Sequence, residues 1–596
     1  MAYIILLLYA ALVFITIKTK QTYTPAGAMV FLWAGLNFVL LLFFRDWVEI
    51  EYPGFFYIII GVGIFLGGAV LGHKTTKKES INVLLRFNRR LITPVLLVVT
   101  AMAFVDPIYN IYALGYTVSD VFDLGTLSKM IADFCHNRYF EDEQVGYSLI
   151  IQLFLAVTYT APTIGGFCWL LSKKAYQRVL CILTALPCLM ITVTAAAKMA
   201  SISALILWVS GFLTAIFTYN IKVRLTWKVV VAIVGTLATI LIGLFFSLVT
   251  RWGRTADSKA IEQTKSTFFD YALGSLMCFD KWFYYQIKDV DYSTIILQNS
   301  HLSRFGFLRN VDNGIRVDFD TLRTSPKMEF YGRHLFNCEF FAGKNYTISF
   351  DIKSNIQPDT VKYSIYSTTS IPKGHLIMIV DSCRQVGIHT WHYQLTFNLD
   401  SNRRYVRTPD IILAVDSAKY IEITRLRIDT STVALPWKNG DGNIFWYESK
   451  HTLGAMTFMG IANQLGLAER KPGVYQDFEK FGRLNKSLQT NVYTIFRQLI
   501  DDFGMVGALV FLFVIGFLSA KAIVLIQRRK MVFICQSFLI AVYSYVLWGF
   551  VTSFWAYTTN ICCYAFCFII FSILQKPLHC GSLLSRIIGT SIKNTD

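Results

Sequence analysis

The chain has 596 residues, 54% of them hydrophobic and only 16% charged, whereas soluble domains average about 25% charged and roughly 45–50% apolar. With a mean hydropathy of +0.47, disorder, a collagen-like fibre and a small disulfide scaffold are excluded, and the length exceeds one compact domain. The net charge of +18 reads as a membrane-topology signal rather than a nucleic-acid footprint, so no nucleic-acid partner is expected.

A bilayer-spanning helix needs about 20 mainly apolar residues. Eleven runs are predicted to span, at roughly 2–17, 26–44, 54–72, 91–114, 147–171, 176–195, 199–219, 229–250, 503–526, 531–552 and 555–575. The first is short. With no basic segment before it and no clear small-residue cleavage site after it, it reads as a retained anchor. The loops alternate in charge. Lys74, Lys77, Lys78, Arg86, Arg89 and Arg90 crowd 73–90; Lys173, Lys174 and Arg178 follow the fifth run, Lys222, Arg224 and Lys228 the seventh, and Arg528, Arg529 and Lys530 the ninth. By contrast, 45–53 sets Arg45 against Asp46, Glu49 and Glu51, and 106–146 is acidic. Short basic loops stay in the cytoplasm, so the N-terminus and the large loop 251–502 are expected outside and the C-terminus inside. Apart from Lys521 near a cytoplasmic end, the runs are read as holding no Asp, Glu, Lys or Arg well inside them. Ion-coupled transporters and proton pumps keep ionisable groups at membrane depth, so the chemistry is expected at the outer rim and in the large loop.

Composition changes after about residue 290. Short alternating runs at 346–352, 376–380, 391–397 and 420–424 are separated by the turn residues 342–345, 372–374 and 400–402. Strands at such spacing predict an all-β sandwich. The expected organisation is an eight-span bundle over 1–250, a first loop segment over 251–290, the inserted sandwich over 291–445, a second loop segment over 446–502, and three spans with a tail over 503–596. Cys338 and Cys383 share the insertion and are a candidate pair on an oxidising face. No Cys/His cluster has metal-ligand spacing, and no metal or other cofactor is expected.

The stretch 340–354, the strand 389–397 and the late strand 420–428 resemble the jelly-roll carbohydrate-binding modules. That resemblance implies glycan stacking on exposed aromatics, for which Trp391, Tyr393 and Trp437 are the candidates; core packing is their other reading, and a lid without ligand is another for the domain.

Chemistry-bearing residues flank the insertion. Arg251 and Arg254, three apart where the eighth run ends, suit bidentate contact with phosphate, with Lys198 on the same side; ordinary headgroup snorkelling, or pairing of an arginine with Asp257, is the alternative. Glu448, His451 and Asp502 are the candidate general bases, Asp502 having the further reading of orienting the junction between loop and span. The tripeptide Asp502–Phe503–Gly504 lacks the partners of the kinase element.

At Gly454–Phe458, a Gly-x-x-Thr-Phe segment, and at Asn491, Tyr493, Thr494, Phe496, Asp502, Phe503, Gly504 and Gly507, the chain resembles the bacterial oligosaccharide repeat-unit polymerases, the Wzy-type O-antigen polymerase group. The resemblance covers most of the chain outside the insertion. It implies a GT-C-like membrane enzyme of the bacterial inner membrane, which moves a glycan from undecaprenyl pyrophosphate onto another lipid-linked repeat unit, with Arg251, Arg254 and Lys198 on the pyrophosphate. A chain-length regulator protein is an implied partner. Two departures stand out: the family's small-small-Arg motif reads Ala196–Ala197–Lys198, and the large insertion is unusual. A polysaccharide ligase, a lipid-linked oligosaccharide exporter and a non-enzymatic glycan receptor remain as other readings.

Overall fold

The computed structural model describes residues 1–75, 83–123, 125–127, 129–131, 133–134, 149–194, 198–221, 269, 273–287, 306–311, 314–319, 328–331, 339–340, 345–357, 360–367, 374–379, 382–398, 405–406, 410–414, 419–430, 452–466, 479–480, 489–490 and 492–579. Among the described residues, seven helical elements are long and apolar enough to cross a membrane: Pro25–Phe43, Pro53–Lys74, Arg89–Ala113, Ile150–Trp169, Ala175–Thr194, Met199–Tyr219 and Ile495–Gln527. The predicted runs at 2–17, 531–552 and 555–575 fall on shorter apolar helices, and the run at 229–250 lies outside the described residues. The architecture is that of a polytopic membrane protein with an antiparallel β region.

The helices are α1 (Ala2–Lys18), α2 (Pro25–Phe43), α3 (Pro53–Lys74), α4 (Ile92–Ala103), α5 (Val105–Ala113), α6 (Leu149–Trp169), α7 (Ala175–Leu183), α8 (Leu186–Thr194), α9 (Lys198–Tyr219), α10 (Gly274–Ile287), α11 (Met459–Gln464), α12 (Ile495–Gln527), α13 (Val532–Trp548) and α14 (Thr558–Leu574). Small residues let the long helices touch backbone to backbone, which is how helices associate where lipid tails remove any hydrophobic preference. A Cβ on Gly68 of α3 would stand 2.3 Å from the Phe513 carbonyl of α12, and one on Gly166 of α6 would stand 1.8 Å from the Trp208 carbonyl of α9. Helix α13 packs against α2, α9, α12 and α14. Its Gln536 donates to Thr218 Oγ1 and to Gln575 Oε1, at 3.0 Å each.

The loops gather at two ends. At one, Val83–Phe87 pairs antiparallel with Gln575–His579, and Arg529 donates to the carbonyl of Thr218. At the other, Asp280 of α10 receives the backbone N–H groups of Glu51, Tyr52 and Gly54, and Cys278 Sγ donates to the Thr490 carbonyl at 3.1 Å. The second contact brings α10, which precedes the insertion, against the chain that follows it.

One expectation about the spans is overturned. Asp106, within the predicted run 91–114, lies inside the membrane-length element Arg89–Ala113 and is 1% exposed, so a run does hold an acidic side chain well inside it.

The described strands of the insertion form a six-stranded antiparallel sheet, in the order Gly306–Val311, Gly314–Phe319, Tyr420–Thr430, Asn345–Ser354, Thr390–Asn398 and Ser382–Gly387. A four-stranded sheet runs Met328–Tyr331, Asp410–Ala414, Thr360–Ser367 and Gly374–Ile379. The register sets Trp391 beside Ile352 and Tyr393 beside Phe350, and places Ile423 on the other side of Ile352. Because strand side chains alternate, these residues share one face, and all five are buried. Cys383 is an exposed free thiol, and its candidate partner Cys338 lies outside the described residues.

Candidate active site at the rim of the bundle

Helix α12 begins at the loop-rich end of the bundle. Thr494 precedes it in extended backbone, and the N–H of Ile495 is fixed by the Gly549 carbonyl at 2.8 Å. The helix is interrupted at Gly504, with φ 72° and ψ 172°, a region in which a residue with a Cβ is strained. The carbonyl of Met505, beyond the break, accepts from the Tyr57 hydroxyl at 2.6 Å.

Just before the break sits Asp502, fully buried. Its Oδ1 takes the Met456 N–H at 2.8 Å and the Thr452 hydroxyl; its Oδ2 takes the Thr457 N–H at 2.8 Å and the Thr457 hydroxyl at 2.5 Å. The backbone carbonyls join in: Asp501 O accepts from Thr452 N at 3.2 Å and Asp502 O from Leu453 N at 3.0 Å. The loop reaches these donors by turning through left-handed backbone at Leu453 (φ 51°) and Gly454 (φ 100°). One carboxylate thus clasps the Gly454–Phe458 segment onto the Asp502–Gly504 turn. Charge-assisted bonds to two N–H groups and two hydroxyls satisfy both its oxygens, so Asp502 is placed to position the loop rather than to take a proton from a substrate.

The clasp is braced from behind. Gln498 Oε1 accepts from Ser553 N at 2.5 Å, and Ser553 Oγ donates to the Thr457 carbonyl at 2.9 Å. Phe458 stacks on Trp555 at 5.5 Å, and Trp555 stacks on Tyr545 at 4.3 Å. These contacts join the loop to the turn between α13 and α14.

Arg497, one turn before Asp501, is 0% exposed. Its guanidinium lies 4.0 Å from the Tyr493 ring centroid and 5.0 Å from that of Trp282 on α10, with Nε 3.8 Å from Asp501 Oδ2. A planar cation between two rings is a packing device that only arginine supplies. Substituting Arg497→Met is expected to cost about 3 kcal/mol or more, the scale of a broken buried pair. Arg497→Lys is expected to recover less than half of that, measured by thermal unfolding in detergent.

Asp280 caps α3, with its oxygens 2.8–2.9 Å from three backbone N–H groups. Those bonds favour the carboxylate, but burial outweighs them and pushes the carboxyl up to about 6 from the ordinary 3.8. The folded state therefore holds this proton more tightly than the unfolded chain does. The group's stabilising contribution is complete below about 3.8 and is lost as pH rises through about 6. Lowering the pH from neutral towards 4 is expected to raise the melting temperature of the wild type relative to Asp280→Asn.

Of the residues singled out from the sequence, Asp502 is in the clasp. Arg251, Arg254, Glu448, His451 and Trp437 lie outside the described residues, and Lys198 opens α9 with its side chain undescribed. Trp391 and Tyr393 are 8% and 3% exposed, on the buried sheet face, with Tyr393 stacked on Phe350 at 5.8 Å. A ring that stacks on a sugar needs a free face, so this placement suits them to the core and not to glycan contact. Sequence reasoning passed over Arg497, Gln498, Asp280 and Ser553. The available signal was Arg497 and Asp501 at i,i+4 spacing in an otherwise apolar run.

No family model matches the chain, and neither a curated protein nor a solved structure is significantly similar to it.

Proposed function

We propose that the chain is a polymerase of lipid-linked oligosaccharide repeat units in the bacterial inner membrane, a GT-C-like glycosyltransferase with eleven spans. In this reading the basic end of the bundle faces the cytoplasm, and the end carrying α10 and the clasp faces out. The observation that carries the proposal is the clasp itself. Asp502 joins two segments 45 residues apart, and they are the two that resemble the polymerase motifs, Gly454–Phe458 and the 491–507 block.

The proposed reaction forms a bond between the acceptor hydroxyl oxygen and C1 of the donor glycan, and breaks the bond between C1 and the pyrophosphate oxygen. The electron pair leaves on undecaprenyl pyrophosphate. Arg251, Arg254 and Lys198 are the proposed cations for that charge, since fixed donors aimed at developing negative charge contribute most to such a step. The acceptor proton goes to His451 or Glu448, which precede Thr452 closely in the chain. Asp502 keeps its role in holding the loop. The insertion is proposed to handle the glycan through surfaces other than Trp391 and Tyr393, and a chain-length regulator is the proposed protein partner.

The test is incubation of the purified protein with undecaprenyl-pyrophosphate-linked repeat units, followed by gel separation. A ladder of lengths supports the proposal. Transfer of preformed polymer to a different acceptor without a ladder identifies a ligase, and no transfer at all refutes both.

A further inference from the structure

The membrane-length element Arg89–Ala113 is broken at Phe104, between α4 and α5. Pro107 explains the break, because it has no N–H for the carbonyl four residues back. That carbonyl, on Ala103, is taken instead by Thr158 Oγ1 at 2.8 Å. Pro162 in α6 leaves the Thr158 carbonyl open in turn, and Cys188 Sγ of α8 donates to it at 3.5 Å. Neighbouring side chains thus repair two proline gaps in sequence, as a bilayer interior requires.

Asp106 sits beside this chain of polar groups, in the first turn of α5. It is 1% exposed. Ala113, the end of the element, is seven residues on, which at 1.5 Å per residue is about 10 Å. One carboxyl oxygen, Oδ1, has no hydrogen-bond partner. Asn110 stands one turn on in α5, and Cys188 of α8 lies near the carboxyl. Leu127, Met130 and Ile131 cluster with Ile111 of α5, from a segment whose charged side chains, Asp123, Lys129 and Asp133, are exposed, and the helices packed on α5 are α4, α6 and α8. None of the three carries an Asp, Glu, Lys, Arg or His, and their titratable side chains are Tyr159, Cys168 and Cys188. The turn Val118–Phe122 also packs there, and its Asp120 is bonded to Thr117. With no cation beside it among the described residues, a carboxylate placed this deep is far costlier than the neutral acid.

We infer that Asp106 is a proton-binding site within the membrane bundle, occupied as the neutral carboxylic acid. It is independent of the glycan chemistry at the rim. Its ligand is a proton, and the probe for the occupied form is a carbodiimide that partitions into membranes. Dicyclohexylcarbodiimide adds to an un-ionised carboxyl: the acid's proton passes to a carbodiimide nitrogen and the carboxyl oxygen bonds the central carbon. An acyl shift from oxygen to nitrogen then leaves a stable N-acylurea, with nothing else consumed or released.

The full-length protein in native membranes is treated at neutral pH and its peptides are mapped by mass spectrometry. The expected result is one adduct on Asp106, diminishing as the pH is made alkaline, absent with a water-soluble carbodiimide and absent in Asp106→Asn. An unmodified Asp106 at neutral pH overturns the inference, because it means an ionised, paired carboxylate. Equal labelling by the water-soluble reagent also overturns it, because it means a site open to bulk water. The primary measurement is made on the wild-type chain, so it does not depend on how the Asn variant folds.

Discussion

Asp502→Ala is expected to release the loop over 452–458 and to lower stability by about 3–5 kcal/mol. The cost arises because the N–H groups of Met456 and Thr457, both bonded to the carboxylate in a buried setting, are left without acceptors. Each such loss costs about 1–3 kcal/mol. Asp502→Asn should fall between wild type and alanine. Its single carbonyl oxygen can serve one pair of donors, while its amide hydrogens confront the other. Thermal unfolding in detergent reads the stability, and limited proteolysis reads the loop, with cleavage near Leu453 expected to become fast. Unchanged melting together with unchanged protection would show that the bracing by Gln498, Ser553 and Trp555 holds the loop unaided. On the proposed function, chain extension falls with the loop, because the segment it displaces follows directly on His451.

On the proposed function, Arg251→Ala and Arg254→Ala are each expected to slow chain extension by about 100- to 1,000-fold, the effect of removing one donor from a developing oxyanion. Membrane abundance should be unchanged. The expectation follows from the leaving group: a pyrophosphate departs readily only if its charge is met as it forms, and guanidinium meets it in a planar, permanently charged fork. Lysine at either position should restore part of the rate, since it supplies charge without the fork. Full-length polymer from both single alanine variants would remove the arginines from the mechanism and leave Lys198 as the proposed cation.

Much of the helical architecture was legible in local sequence. The long apolar runs announce themselves because the hydrocarbon layer demands a minimum length, and six of the seven membrane-length helices begin within about three residues of a predicted run. The seventh, α12, begins eight residues before its run at 503, since Arg497, Asp501 and Asp502 interrupt the hydropathy although the helix continues through them. The strands at 346–352, 391–397 and 420–424 were likewise legible, because alternation is a property of adjacent residues. The facing of those strands was not. By residue type Trp391 and Tyr393 suit either a sugar or a core, and the register against Ile352 and Phe350 decides for the core.

The sequence by itself determined that this is a membrane chain with an inserted β region, and which short segments differ from the apolar background. These are matters of local composition and period, readable in a window of some twenty residues. Only the tertiary structure decided that Asp502 belongs to the 452–457 loop, that Asp280 caps α3 across 226 residues, and that the Asp106 carboxyl is buried among helices. Each depends on a helix break, at Gly504 or Phe104, or on two helices meeting side by side. The energy of such contacts lies between residues distant in the chain, so no window along the sequence contains both partners.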